Sequence, residues 1–291
     1  MRLIALRLSA YLSCLLICIS KKPVFLHPSN MTGMDIPDNV FSSSYEVYST
    51  DVDRFRRIKP STLFSFMVET AWKQVKTYGI GHETEASAHI WVLSSLELEI
   101  FHNIAWQDII TIKTWPRPPA GLFFLRDFAI FLPDGTLAAA ATSSWLFINR
   151  ATRLPDRNAM KQVSLPYCHQ SILGHDPKRL SENTGYEAMA RVYPRFSDFD
   201  FHAHVNNSVY VGWIFDSYTS GFHEQHRPLR IQLDFIHELT SDGEISIGMY
   251  RHGLIHHFEG RVSEKATLCF RALVEWHWFE FRSDFSCVQS T

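Results

Sequence analysis

The sequence predicts an α+β protein built as two copies of one plan, each a curled antiparallel sheet wrapped around a central helix. Three observations carry this. The order strand, helix, four strands occurs twice; short segments of the two halves match without gaps; and the last strand keeps a strict two-residue alternation that no helix sustains. Neither a single helix nor a single sheet hides its apolar side alone, so each sheet has to close over its helix.

In the first half Tyr45-Glu46-Val47-Tyr48-Ser49-Thr50 reads as a strand leading into Asp51-Val52-Asp53. A helix follows, with Leu63, Phe66, Met67, Ala71, Val75 and Tyr78 at three- and four-residue spacing, Pro60 near its start, and Gly79 and Gly81 past its end. Segments 88–101, 109–115, 122–132 and 136–148 are rich in β-branched and aromatic residues and are parted by turn signals such as Pro133-Asp134-Gly135. They read as four strands.

The second half repeats the order. Residues 185–196 form the first strand, Asp198-Phe199-Asp200 stands in the place of Asp51-Val52-Asp53, and 207–220 carries Val209, Tyr210, Trp213, Ile214 and Ser217 at helical spacing. Asn206 or Asn207 supplies the N-cap and Gly221 the stop. Strands follow at 228–238, 244–251, 254–263 and 266–280; in the last, Leu268, Phe270, Ala272, Val274, Trp276 and Trp278 face one way. Leu98-Glu99-Ile100-Phe101-His102 matches Leu233-Asp234-Phe235-Ile236-His237 at an offset of 135, and Trp145 matches Trp276 at an offset of 131.

These boundaries divide the 291 residues into an extension at 1–33, a first domain at 34–165, a polar linker at 166–182 with Pro166, Gly174 and Pro177, and a second domain at 183–291. The extension holds an apolar run at 3–19, flanked by Arg2 and Lys21-Lys22. A bilayer span takes roughly 20 apolar residues and a cleavable signal wants small residues at its cut site, so the run fits neither well. It reads as a dispensable extension ahead of Met31 or Met34, with a targeting segment or anchor as the alternative. No stable membrane insertion is expected.

Apolar residues at 46% and charged residues at 20% are the balance of a packed protein. A formal charge of −2 provides no global basic field for phosphates, which argues against nucleic acid as a partner. Cys14, Cys18, Cys168, Cys269 and Cys287 are odd in number and scattered, so a reducing compartment, the cytoplasm, is expected and no thiolate metal site is.

Chemistry concentrates in the stretch Asp198-Phe199-Asp200-Phe201-His202-Ala203-His204-Val205-Asn206-Asn207-Ser208-Val209-Tyr210-Val211-Gly212-Trp213. It resembles the acyl-acyl carrier protein thioesterases of plants and bacteria, whose pattern runs Asp-x-Asn-x-His-Val-Asn-Asn and then Tyr-x-x-Trp; the likeness extends over nearly all of 38–281. The resemblance implies a tandem hotdog architecture, hydrolysis of fatty acyl thioesters in fatty acid biosynthesis, and an acyl pocket drawn largely from the first half. It also implies a partner, an acyl carrier protein with its acyl chain on phosphopantetheine, and neither cofactor nor metal. A homodimer is one option for assembly.

Carried over by position, Asp200 and His204 stand at the family's Asp and His, and His202 stands where the family has Asn. Glu238 stands at the family Glu, and Leu239 where plant members have Cys. Leucine neither ionises nor attacks a carbonyl, so a thiolate mechanism is closed and a Glu-His activated water remains. Glu238 is expected to act as base, oriented by His204, with Asp200 fixing a tautomer or holding the loop. The helix start at Asn206 to Val209 is the expected oxyanion site. Against the motif His202 and His204 the first half has Phe55 and Arg57, so it lacks the catalytic groups; Leu63, Phe66, Met67, Ala71, Trp91 and Leu93 are its candidate tunnel residues. Arg54, Arg56, Arg57 and Lys59 form a basic cluster that suits an acidic carrier. Three alternatives stay open: hydrolysis of acyl-coenzyme A, acyl binding without catalysis, and a metal held by Asp200, His202, His204 and Glu238.

Overall fold

Strand, helix and four strands follow one another twice in a computed structural model described over residues 40–79 and 88–278. The extension at 1–33, Gly81 and the end of the last expected strand fall outside the described residues. The first half comprises β1 (Phe41–Glu46), α1 (Pro60–Thr77), β2 (His89–Ile100), β3 (Ile109–Ala120), β4 (Phe123–Phe131), β5 (Leu137–Asn149) and a short α2 (Arg157–Met160). The second comprises β6 (Glu187–Val192), α3 (Asn207–Asp216), α4 (Ser220–Gln225), β7 (His226–Phe235), β8 (Ile245–His252), β9 (Ile255–Val262) and β10 (Thr267–Trp278).

The ten strands form one sheet in the order β1-β3-β4-β5-β2-β7-β10-β9-β8-β6, every pairing antiparallel. The two expected sheets are therefore joined edge to edge through β2 and β7, where Leu96 faces Leu233, Glu97 faces Gln232 and Leu98 faces Ile231. β2 and β7 carry the segments that match at an offset of 135, and Glu97 and Gln232 are themselves that far apart. Equivalent strands thus meet at the joint, centred on the equivalent pair Glu97 and Gln232. The outer pairings repeat as well: Ile100↔Ala139 recurs as Phe235↔Phe270, and Ile112↔Ile130 as Ile247↔Gly260.

One face of the sheet covers the helices. Leu96, Leu98, Ile231 and Leu233 are buried in the same core as Leu63, Met67 and Ala71 of α1 and Val211 and Ile214 of α3, and the two helices touch. α1 starts at Pro60, whose missing N–H costs nothing at that position, and stops at Tyr78 and Gly79, the latter at φ 66°. α3 is apolar on nearly all sides because both the sheet and α1 cover it. On the sheet, Gly260 lies under the Phe270 ring, where a Cβ would come within 1.9 Å of a ring carbon.

Two expectations shift. β1 is Phe41–Glu46 rather than 45–50, because the Asp51 carboxylate accepts the Tyr48 N–H and Asp51 N–H bonds Tyr48 O, turning the chain. The second-half helix ends at Asp216, and Thr219 caps a separate α4 that contains Gly221, the expected stop. The polar segment expected as a linker at 166–182 is in addition tied to the sheet. There Ile172 N–H donates to Asp127, Leu180 N–H to Asp234, and Gln232 to Lys178 O, at 2.8, 2.6 and 2.6 Å. Burial pushes the Asp127 carboxyl up to about 6.

Candidate active site

The site is made by a loop, the segment that follows β7 and a turn from the other half. After the 3₁₀ turn Phe196–Asp198, the loop 199–205 closes on itself: Phe199 bridges Val205, and Asp200 N–H donates to His204 O at 2.8 Å. Asp200 Oδ1 accepts the backbone N–H groups of His202 and His204 at 2.9 and 3.3 Å, with Ala203 turned into the left-handed region at φ 61°. Asp200 is thus the holder of the loop, one of the two roles expected of it.

Val205 N–H then donates to Leu239 O at 2.9 Å, which lays the segment after β7 beside the loop. One residue back on each side, His204 Nε2 lies 3.3 Å from Glu238 Oε2. Three predicted residues, Asp200, His204 and Glu238, are thereby brought together. His202 is half-buried, its ring 3.8 Å from that of Phe201 and near enough to His204 to disfavour a second positive charge. Burial is the main cause that holds the His204 imidazole below its usual range; Arg153 adds to it, and Asp200 opposes it. Leu239 is buried in the core.

The start of α3 is more occupied than expected. Asn206 N–H donates to Asp198 O, Ser208 N–H is capped by the Asn206 side chain, and Val209 N–H returns to Asn206 O. These bonds take up the N–H groups of Asn206, Ser208 and Val209, and among the described residues the N–H of Asn207 is a candidate for facing an oxyanion.

Arg153 escaped the sequence reading. It sits in the turn after β5, and its guanidinium pairs with Glu238 Oε2, the oxygen that also faces His204. Its only local sign is a basic pair, Arg150 and Arg153, at a strand end, and nothing in the sequence marks which carboxylate the turn would reach.

The first half carries the same loop without the chemistry. Asp53 Oδ1 accepts the N–H groups of Phe55 and Arg57, Asp53 N–H donates to Arg57 O, and Arg56 stands at φ 61°. Arg57, at the place of His204, pairs with Asp53 and donates to His223 O, so it is a structural member of the expected basic cluster rather than a free charge. Lys59 bonds Thr50 O, and Arg56 lies over the Trp106 ring.

An apolar cleft, open to solvent, lies between α1 and the first-half strands. Ala71, Trp72, Val75, Trp91, Phe124 and Trp145 are among its lining residues, and neither His204 nor Glu238 is. Of the expected tunnel residues Ala71 and Trp91 line it; Leu63, Met67 and Leu93 are core, and Phe66 stacks on Tyr45. Arg126 forms a polar wall, fully buried, donating to Gln74 and, at 3.1 Å, to Thr114, with burial lowering its pKa to about 10. Among the described residues no cluster of three or more His, Cys, Asp or Glu side chains suits a metal, and no helix is long and apolar enough to cross a membrane.

A helix-covering antiparallel sheet with this His–Glu loop has the fold of solved thioesterases. An acyl-ACP thioesterase from Bacteroides thetaiotaomicron superposes with a TM-score of 0.75 at 23% identity, covering 82% of this chain and 98% of that one. The 12:0-ACP thioesterase from Umbellularia californica gives 0.68 at 19%, covering 82% and 98%. The chain belongs to the acyl-ACP thioesterase family: its N-terminal domain profile matches residues 38–163 and its C-terminal domain profile residues 181–276. A chloroplastic acyl-acyl-carrier-protein hydrolase of Cuphea viscosissima is 28% identical over 77% of this chain and 57% of its own length. Oleoyl-acyl carrier protein thioesterase 2 of Arabidopsis thaliana, also chloroplastic, is 26% identical over 72% and 61%. The chain spans about three fifths of the length of these curated relatives.

Proposed function

We propose that this chain hydrolyses the thioester between a fatty acyl group and an acyl carrier protein, releasing the free acid. The scaffold is a tandem hotdog of halves 34–165 and 183–291 linked by 166–182. The observation that carries the reading is the 3.3 Å approach of His204 Nε2 to Glu238 Oε2 on a loop tied by Asp200, in a chain of this family.

Glu238 takes a proton from a water whose oxygen adds to the thioester carbon. The oxyanion formed meets the N–H of Asn207 at the positive end of α3. As the carbon–sulfur bond breaks, the thiolate takes the proton through His204, which is neutral at physiological pH and so able to relay it. His202 replaces the family Asn with one donor and one acceptor beside the loop. The apolar cavity against α1 receives the acyl chain. A reducing compartment, the cytoplasm, is the proposed location; the plant relatives are named chloroplastic.

Glu238→Gln and His204→Ala are each expected to lower turnover of acyl carrier substrate by at least about 100-fold. Full turnover in either variant overturns the reading. The coenzyme A ester of the same chain, assayed alongside, identifies the preferred donor.

A further inference from the structure

We propose that Arg153, supplied by the first half, is a positioning residue for the Glu238–His204 pair of the second half. The inference rests on the reading of that pair given above and adds a residue to it.

The turn after β5 is built to present this side chain. Asn149 Oδ1 accepts the N–H groups of Ala151 and Thr152 at 3.0 Å each, Arg153 N–H donates to Asn149 O, and Asn149 N–H to Leu154 O, both at 2.9 Å. Arg153 closes the turn at φ 58°, a conformation that is strained for a non-glycine residue and that glycine takes freely. A turn held this way by a long cationic residue, reaching a carboxylate of the other half, is strain of the sort found at functional sites.

The electrostatics fit the role. Arg153 and His204 share Glu238 Oε2, so the guanidinium selects which oxygen the imidazole meets and balances the carboxylate charge. Around the pair of His204 and Glu238, the latter in the segment just after β7, lie Asp200 and His202 on the histidine loop and Arg153 with its neighbour Arg150 on the turn. Within that set Arg153 keeps a proton off His204, the neutral form that the relay needs, and Asp200 pulls the other way. The first half thus does more than carry a cavity. It completes the site across the joint.

The test uses the full chain with Arg153→Gly and Arg153→Lys. Glycine suits the backbone at this position, so Arg153→Gly removes the side chain while thermal unfolding stays at or above the parent temperature. Its kcat/KM on acyl carrier substrate is expected to fall about 10- to 100-fold, with the acid limb of the pH profile moved to higher pH. The His204 ring, titrated by NMR without substrate, should move the same way. Arg153→Lys keeps the charge and should restore the titration and part of the rate. If Arg153→Gly leaves the rate, the limb and the ring titration unchanged while Glu238→Gln is inactive, the role of Arg153 is overturned and the proposed chemistry stands. If Glu238→Gln and His204→Ala keep full turnover, the chemistry fails, and the ring titration alone then decides whether Arg153 acts on His204.

Discussion

Asp200 and Asp53 do the same work in the two halves: each turns one carboxylate oxygen to the backbone N–H groups two and four residues on. Their side chains hold loops of one shape, and only the later loop carries His204. Asp200→Ala is expected to cut kcat/KM about 100-fold, since a displacement near 1 Å of His204 is enough for that. Asp53→Ala instead loosens Arg57 and its bond to His223 O, and should lower the unfolding temperature with kcat nearly unchanged. Steady-state kinetics and thermal unfolding of the two variants check both halves of the statement.

Asp200→Asn separates the holding of the loop from charge. The amide oxygen still accepts both N–H groups, so the loop stays. The lost negative charge is the one that favours a protonated His204, so the imidazole of the variant protonates only at lower pH than in the parent. In the parent the imidazole already sits below its ordinary value of about 6.5, so the acid limb of kcat/KM lies below about pH 6.5. In Asp200→Asn it moves lower still. A pH–rate profile over the acid limb reads the direction; a shift upward would mean that another group sets the limb.

His256 makes a matching prediction for stability. Buried, with its Nδ1 2.5 Å from the Tyr218 hydroxyl, it is pushed down to about 4, mainly by burial and then by Arg251. The unfolded chain therefore binds a proton between about pH 6.5 and 4 that the folded chain refuses, and stability falls as pH drops through that window, by at most ~3 kcal/mol. Urea midpoints at pH 7.5 and 5 should diverge in the parent. In His256→Leu they should diverge less, at a lower starting stability.

Most of this architecture was legible because its causes are local. The spacing of Leu63, Met67 and Ala71 made α1 visible, and the alternation around Phe270 and Trp276 made β10 visible. The match of Leu98 with Leu233 marked the two strands that meet at the joint, although the offset alone does not say that equivalent strands pair. What stayed hidden depends on contacts between distant segments. Ser217 and Thr219 end one helix and start another through their own hydroxyls, a competition that helical spacing does not register. The composition of the linker at 166–182 does not show that Asp127 and Asp234 tie it to the sheet. For the site, His204 and Glu238 were legible through a motif, and Arg153 was not, since its role exists only once the turn after β5 reaches the segment that follows β7.

The cavity against α1 gives the last prediction. Val75 lines it opposite Trp91 and Trp145, one turn beyond the helix residues that fill the core, so a larger side chain there takes up cavity volume without displacing Leu63 or Met67. Each methylene that no longer fits an apolar pocket costs about 1–3 kcal/mol. Val75→Phe is therefore expected to lower kcat/KM for long acyl chains by at least about tenfold while short chains lose little, moving the preferred length downward. Turnover on a series of acyl carrier substrates differing by two carbons measures this. An equal loss at every length would mean that the chain lies elsewhere and that the substitution acts only through folding, which thermal unfolding of the same sample would show.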